Sequence, residues 1–471
     1  MRLCEHPDFA QAILRAAEHF KGRGLRPVPP MARMHCLPLL LACCAFAGCR
    51  KEPDLARTPT DALLRLAAAP DRHDSPDSLA RRADAAWCTR PEAEREQSLR
   101  SACADPAPRV RAWAGSKVID WLADPTALQP ESRRADFEAA LANLFADADP
   151  QVQEGVVAWL PLSQFQTPGP RCLEAMAGAI RNLLTASTPR ERFFAVLAAS
   201  HFASDLPTLA PAILAETQSE PDRGVRFMTS VALPKLAPRD PAVAERLCAM
   251  LDDPEEEVRY GAAVSLGDTV SPATAVVQRL HRTALDATES GQVRASAALS
   301  LAKVAMGAEA GQAALEALFA VEVGLENSCW DAWLNALGRA AAWAPSGVLG
   351  ISAQQRLADA ARSEEAATVR AARGGLLRVA YRSGDGPRGR ATLAPLLAEL
   401  PDLRTAAAGG DMDLDSFAVL RSVMEPLVDV VAWPELAIDA GELRAAVEPL
   451  QRHKFRWVRA WAVAQLARLP A

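Results

Sequence analysis

The chain has 471 residues, half of them apolar but only 5% aromatic, and carries a formal net charge of −6. That length exceeds what one compact core holds, so it requires several domains or an elongated array. The acidic balance argues against a general nucleic-acid binder, and no nucleic acid is expected as a partner.

Residues 1–30 do not fit a secretory signal, and a start at Met31 or Met34 would leave them as a non-native extension. Residues 31–48 have the layout of such a signal. Arg33 and His35 precede an apolar run from Leu37 to Phe46, followed by the small residues Ala47 and Gly48. The run is shorter than the roughly 20 apolar residues a membrane-spanning helix needs. The stretch Phe46-Ala47-Gly48-Cys49 resembles the lipobox of bacterial lipoproteins, although Leu is usual where Phe46 stands. The resemblance implies a diacylglycerol thioether on Cys49, a mature chain starting there, and membrane attachment through the lipid. Arg50 in place of Asp implies, by the family's sorting habit, the outer membrane facing the periplasm. Acyl chains gain roughly 0.8 kcal/mol per buried methylene. Leu40-Leu41-Ala42-Cys43 is a second candidate with a shorter apolar core. An incidental apolar stretch in a cytosolic adaptor is the alternative. Residues 49–60 are polar and read as a tether.

Ala and Leu are abundant and alternating β-branched runs scarce, which predicts an all-α fold. The 35 Pro predict many breaks between short helices. Residues 61–104 read as a helical N-terminal cap or a first worn repeat. Five cysteines follow Cys49: Cys88, Cys103, Cys172, Cys248 and Cys329. Cys88 and Cys103 are close enough to pair in an oxidising compartment; buried free thiols are the other reading.

From 105 to the end a short phrase returns. Its anchors are Val110, Val225, Val258, Val293, Val369 and Val458, each followed by Arg, with Val152 and Trp330 as degenerate copies. From Val225 the steps are 33, 35, 37 and 39 residues, the period of a stacked array of supersecondary units. Further copies are expected near Phe193-Phe194 and Phe417. Each unit reads as two helices. In the second, Val258, Ala262 and Leu266 fall on one stripe, as do Val293, Ala297 and Leu301. Arg373 breaks that stripe in its own copy. Asp253 is expected to cap the second helix, with Pro254 in its first turn and Glu255, Glu256 and Glu257 at the positive end of its dipole. This pattern resembles HEAT repeats, in which an Asp at the inter-helix turn and an Arg early in the second helix form a ladder. The resemblance implies an all-α, curved solenoid of two-helix units over 105–471. The residues matching the ladder are Asp105, Arg111, Arg226, Asp253, Arg259, Arg294, Arg370 and Arg459, pairing within or between units.

Signs of chemistry are few. GxxxxGK[ST], HExxH, GxSxG and CxxC are all missing. Asp411-Met412-Asp413-Leu414-Asp415 opens like a calcium loop, but Ser416 and Ser422 stand where Gly and Glu would be needed. Trp330, Trp333 and Asn335 could line a groove or pack in the core, and Trp457 and Trp461 could cover the last interface. No cofactor or metal is expected, and no catalytic residue. The reading is therefore a non-catalytic, lipid-anchored scaffold in the bacterial envelope, binding a protein or peptide on its concave face. A lyase or isomerase acting on a bound chromophore, as some HEAT-like families do, is the enzymatic alternative.

Overall fold

Val258, Ala262 and Leu266 are fully buried, and so are Val293, Ala297 and Leu301. Removing each Val or Leu from water contributes about 1.5–3 kcal/mol, so such a stripe drives helices onto one another. A two-helix unit cannot cover both its own faces, and stacking in a row is the remaining solution.

The computed structural model describes residues 55, 57–68, 79–123, 131–162, 165, 168–270, 274–322, 330–410, 412–453 and 455–470. The signal, Cys49, Cys329 and Asp411 lie outside them, as does the side chain of Trp457. Among the described residues there are 22 α-helices and no strand. None of these helices is long and apolar enough to cross a membrane.

The chain divides into two compact units at His201/Phe202. The first holds α1 (Thr60–Ala67), α2 (Leu79–Cys88), α3 (Glu92–Ala102), α4 (Pro108–Ala123), α5 (Glu131–Phe145), α6 (Pro150–Trp159), α7 (Pro170–Leu184) and α8 (Pro189–His201). Here α3/α4, α5/α6 and α7/α8 are successive pairs, and the second helices α4, α6 and α8 pack on one another in order. Helix α3 is thus the first helix of a regular pair, with α1 and α2 before it.

The second unit holds α9 (Ala210–Glu216), α10 (Arg223–Leu236), α11 (Pro241–Met250), α12 (Glu256–Leu266), α13 (Thr274–Leu285), α14 (Gly291–Val304) and α15 (Ala308–Val321). It continues with α16 (Trp330–Trp343), α17 (Val348–Ala360), α18 (Ala366–Ser383), α19 (Gly386–Ala407), α20 (Leu414–Val430), α21 (Ala440–Val447) and α22 (Arg456–Leu466). Even-numbered helices are the second helices, and from α10 to α20 each packs on the next. Each unit is thus an all-α solenoid segment with helices packed in sequence order. Helices α8 and α20 occupy the places where worn copies near Phe193 and Phe417 were expected.

Two local expectations fail. Proline does not only separate helices: Pro234, Pro395, Pro401 and Pro426 lie inside α10, α19 and α20. Each removes one helical N–H. In α18 the buried stripe slips by one residue, to Thr368, Ala372 and Leu376. That slip leaves Val369 and Arg373 half-buried beside it.

Candidate functional site

The turns before α4, α6, α10, α12 and α22 share one arrangement. Asp253 does not cap α12; Glu255 is the N-cap residue, and its backbone N–H donates to Asp253 Oδ1 at 3.0 Å. Ala107 N donates to Asp105, Asp149 N to Asp147, and Asp222 N to Glu220 in the same way. In the last unit His453 takes the acid's place: its Nδ1 accepts from Phe455 N at 3.0 Å. Its Nε2 meets Met412 O at 2.8 Å, so the buried ring is the Nε2–H tautomer.

In three units the arginine then joins its unit to the next. Arg111 Nη1 donates to the Asp105 and Pro106 carbonyls of its own turn. Its Nε and Nη2 fork onto Asp147 of the following unit, at 2.7 and 2.9 Å. Arg226 does the same with the Glu220 and Pro221 carbonyls and the Asp253 carboxylate, again at 2.7 and 2.9 Å. Arg259 takes the Asp253 and Pro254 carbonyls and forks onto Glu289. Carboxylate pairing therefore runs between units, and only carbonyl bonds stay within one. The Asp105 carboxylate is reached by Arg65 of α1 at 3.2 Å. The hydrogen bond from Arg111 holds the Asp147 carboxyl below the usual range. Burial opposes the same effect at Glu289, yet Arg259 prevails and lowers it.

The other candidate rungs differ. Arg370 Nη1 reaches Glu399 on α19 at 3.4 Å. Arg294 donates to the Ala284 and Ala320 carbonyls, and Arg459 to the His453 carbonyl. Arg192, not singled out in the sequence, donates to the Ala186 and Ser187 carbonyls at the ladder's six- and five-residue offsets. Gln153 replaces Arg after Val152 and keeps the carbonyl bond, to Asp147 O at 2.7 Å, while its Oε1 accepts from Asn182 of α7 at 3.4 Å.

A second charged cluster lies on the second helices themselves and has no counterpart in the repeat. Glu425 and Asp429, one turn apart on α20, collect arginines from their own helix and from elsewhere in the second unit. Arg339 of α16 reaches Glu425 at 3.3 Å, passing over α18. Arg421 Nε donates to Glu425 Oε1 at 2.9 Å. Arg378 Nε of α18 donates to Asp429 Oδ2 at 2.6 Å, and Arg468, beyond α22, bonds Asp429 Oδ1. Burial pushes the Asp429 carboxyl up, but the charges of Arg378, Arg339 and Arg468 overcome it and hold it at about 2. Glycine makes this convergence possible. A Cβ on Gly338 would lie 2.2 Å from Gly375 Cα, and one on Gly374 2.6 Å from Pro426 Cγ.

Elsewhere the side chains have structural tasks. Trp333 is buried and donates to Leu318 O at 3.0 Å, with Trp330 stacked on it at 4.8 Å. Asn335 donates to Asp331 O. Trp113 and Trp461, at equivalent places, each pack edge-on, against Trp87 and Phe417 at 5.3 and 5.0 Å. Asp413 caps α20 by accepting from Ser416 N at 2.8 Å. Cys88, Cys103, Cys172 and Cys248 are free thiols, and burial pushes Cys103 and Cys172 up to about 12. Among the described residues no group of three or more His, Cys, Asp and Glu could hold a metal ion.

No family model and no curated protein matches the chain. Among solved structures, an engineered protein from a structural genomics consortium aligns with 84% of this chain and 99% of its own. Its TM-score is 0.46 and its identity 17%. The Escherichia coli protein YibA aligns with 69% of this chain and 97% of its own, at a TM-score of 0.39 and 15% identity.

Proposed function

We propose that this chain is a HEAT-repeat scaffold without catalytic activity, anchored by a lipid on Cys49 and binding a protein or peptide partner in the bacterial envelope. The observation that carries the scaffold reading is the arginine fork between consecutive units, with Arg111–Asp147, Arg226–Asp253 and Arg259–Glu289 at matching distances. A fork of this kind fixes the angle at which one unit follows another. Within each compact unit it holds the joined second helices in register, which suits an extended ligand. The concave face lined by these helices is the proposed partner surface. The lipid anchor rests on the sequence from Arg33 to Cys49 alone, with the outer membrane facing the periplasm as its destination.

Two experiments test the two halves separately. Metabolic labelling with an alkyne palmitate analogue should mark the wild type and not Cys49→Ser; equal labelling refutes the anchor. A photo-crosslinking amino acid at Glu257 of α12 or Val463 of α22, both exposed on second helices, should trap a discrete partner in envelope fractions. The same probe at Glu245 of α11, exposed on a first helix, should not. Capture at Glu245 alone would place the partner on the opposite side and refute this reading.

A further inference from the structure

The α20 cluster does not close its own hydrogen bonding. Each of the four carboxylate oxygens of Glu425 and Asp429 already accepts from a guanidinium: Arg421, Arg339, Arg468 and Arg378. Arg378 spends only its Nε on Asp429. Its Nη1 and Nη2 are buried with no hydrogen-bond partner, on a side chain only 6% exposed. A charged donor left bare in a dry site costs far more than one in water. Nη1 and Nη2 form the flat pair that matches two oxygens of a single anion.

We propose that the Arg378 fork, beside Arg339, Arg421 and Arg468, binds one small oxyanion of the phosphate, sulfate or carboxylate class. The anion accepts from Nη1 and Nη2 together through two of its oxygens, the paired geometry that a guanidinium fork matches. Arg468 provides the way in. It stands beyond the end of α22, is the most exposed of the four at 43%, and can swing from Asp429 without moving a helix. This proposal is independent of the scaffold reading.

The test is thermal unfolding of the full chain in inorganic phosphate, against sodium chloride of equal ionic strength. Phosphate should raise Tm by a few degrees in a saturable way, since a ligand of the folded state shifts the equilibrium by mass action. Arg378→Lys keeps the charge but loses the fork, and should abolish the shift. Arg362→Gln, at an exposed arginine bonded to Asp359, should keep it. Acetate in the same assay separates a planar from a tetrahedral ligand. Saturation by neither anion, or an undiminished shift in Arg378→Lys, overturns the proposal. If Arg378→Lys does not fold, crystals of the intact chain in selenate decide. An anomalous peak within hydrogen-bonding distance of Nη1 and Nη2 supports the site; a fork holding only water at high selenate overturns it.

Discussion

Replacing Gly338 by Ala tests the close packing of α16 on α18 directly. Alanine is the better helix former by about 1 kcal/mol, so propensity alone predicts a gain in stability. Space predicts the reverse. The added methyl would lie 2.2 Å from Gly375 Cα, whereas ordinary contact begins at 3.4 Å, and the obstacle is backbone that no rotamer change can move. The helices would have to part by about 1.2 Å, which strains the packing and stretches the Arg339 and Arg378 bonds to α20. Overpacking of this kind costs about 1–3 kcal/mol, and backbone against backbone belongs at the upper end. After subtracting the propensity gain, a net loss of about 1–2 kcal/mol is expected. Gly178 of α7 is the internal control, because a Cβ there meets nothing within 4 Å. Gly178→Ala should stabilise by about 0.5–1 kcal/mol. Urea unfolding followed by circular dichroism measures both, with each transition fitted separately because the chain has two units. If Gly338→Ala proves as stable as Gly178→Ala, the close approach is wrong and the reasoning falls with it.

Further expectations concern charge and thiols. A double-mutant cycle on Arg226 and Asp253, whose side chains are 14% and 10% exposed, should give a coupling of about 1–2 kcal/mol. The same cycle on the exposed Arg362 and Asp359 should give about 0–0.5 kcal/mol; equal values would mean the rungs hold nothing together. Asp429 has a folded-state pKa near 2, below the unfolded value of about 3.9. Its contribution, about 2 kcal/mol, is therefore present above pH ~4 and lost as pH falls toward ~2. Asp147 and Glu289 act with the same sign, whereas Asp120 and Glu154, raised by burial, become less costly when protonated. Asp429→Asn should flatten the acid limb of the stability–pH curve; unchanged limbs would discount the cluster. With a thiol reagent at pH 8, the exposed Cys88 should react first and the buried Cys172 last, and intact-mass analysis should find no Cys88–Cys103 bond.

Much of the array could be read in advance, because a repeat writes the same physics many times. The Val anchors at 110, 152, 225, 258, 293 and 458 are all buried in second helices. Other features were hidden for local reasons. The stripe in α18 slipped because Gly374 and Gly375, not Ala, made the close contact, and a glycine carries no hydropathy signal. Asp before Pro is the usual sign of a cap and points to Asp253, but its side chain bonds the turn and the previous unit instead. Glu289 and His453 fill the acid's place with different chemistry and, for Glu289, at a shifted position. A pattern built on Asp passes over both. The α20 cluster joins residues as far apart as Arg339 and Glu425, outside the repeated positions, so periodicity said nothing of it.

The contact that passes over α18 has a mechanical side. A row in which each unit holds only its neighbour behaves as springs in series, and a pull opens the weakest one first. Arg339, Arg378 and Arg468 gather four of those springs at the α20 carboxylates, so the stretch from α16 to the end yields as one stiff piece. Within the second unit, the span from α9 to α15 is joined only neighbour to neighbour, through the Arg226 and Arg259 forks, so a pull there opens one joint at a time.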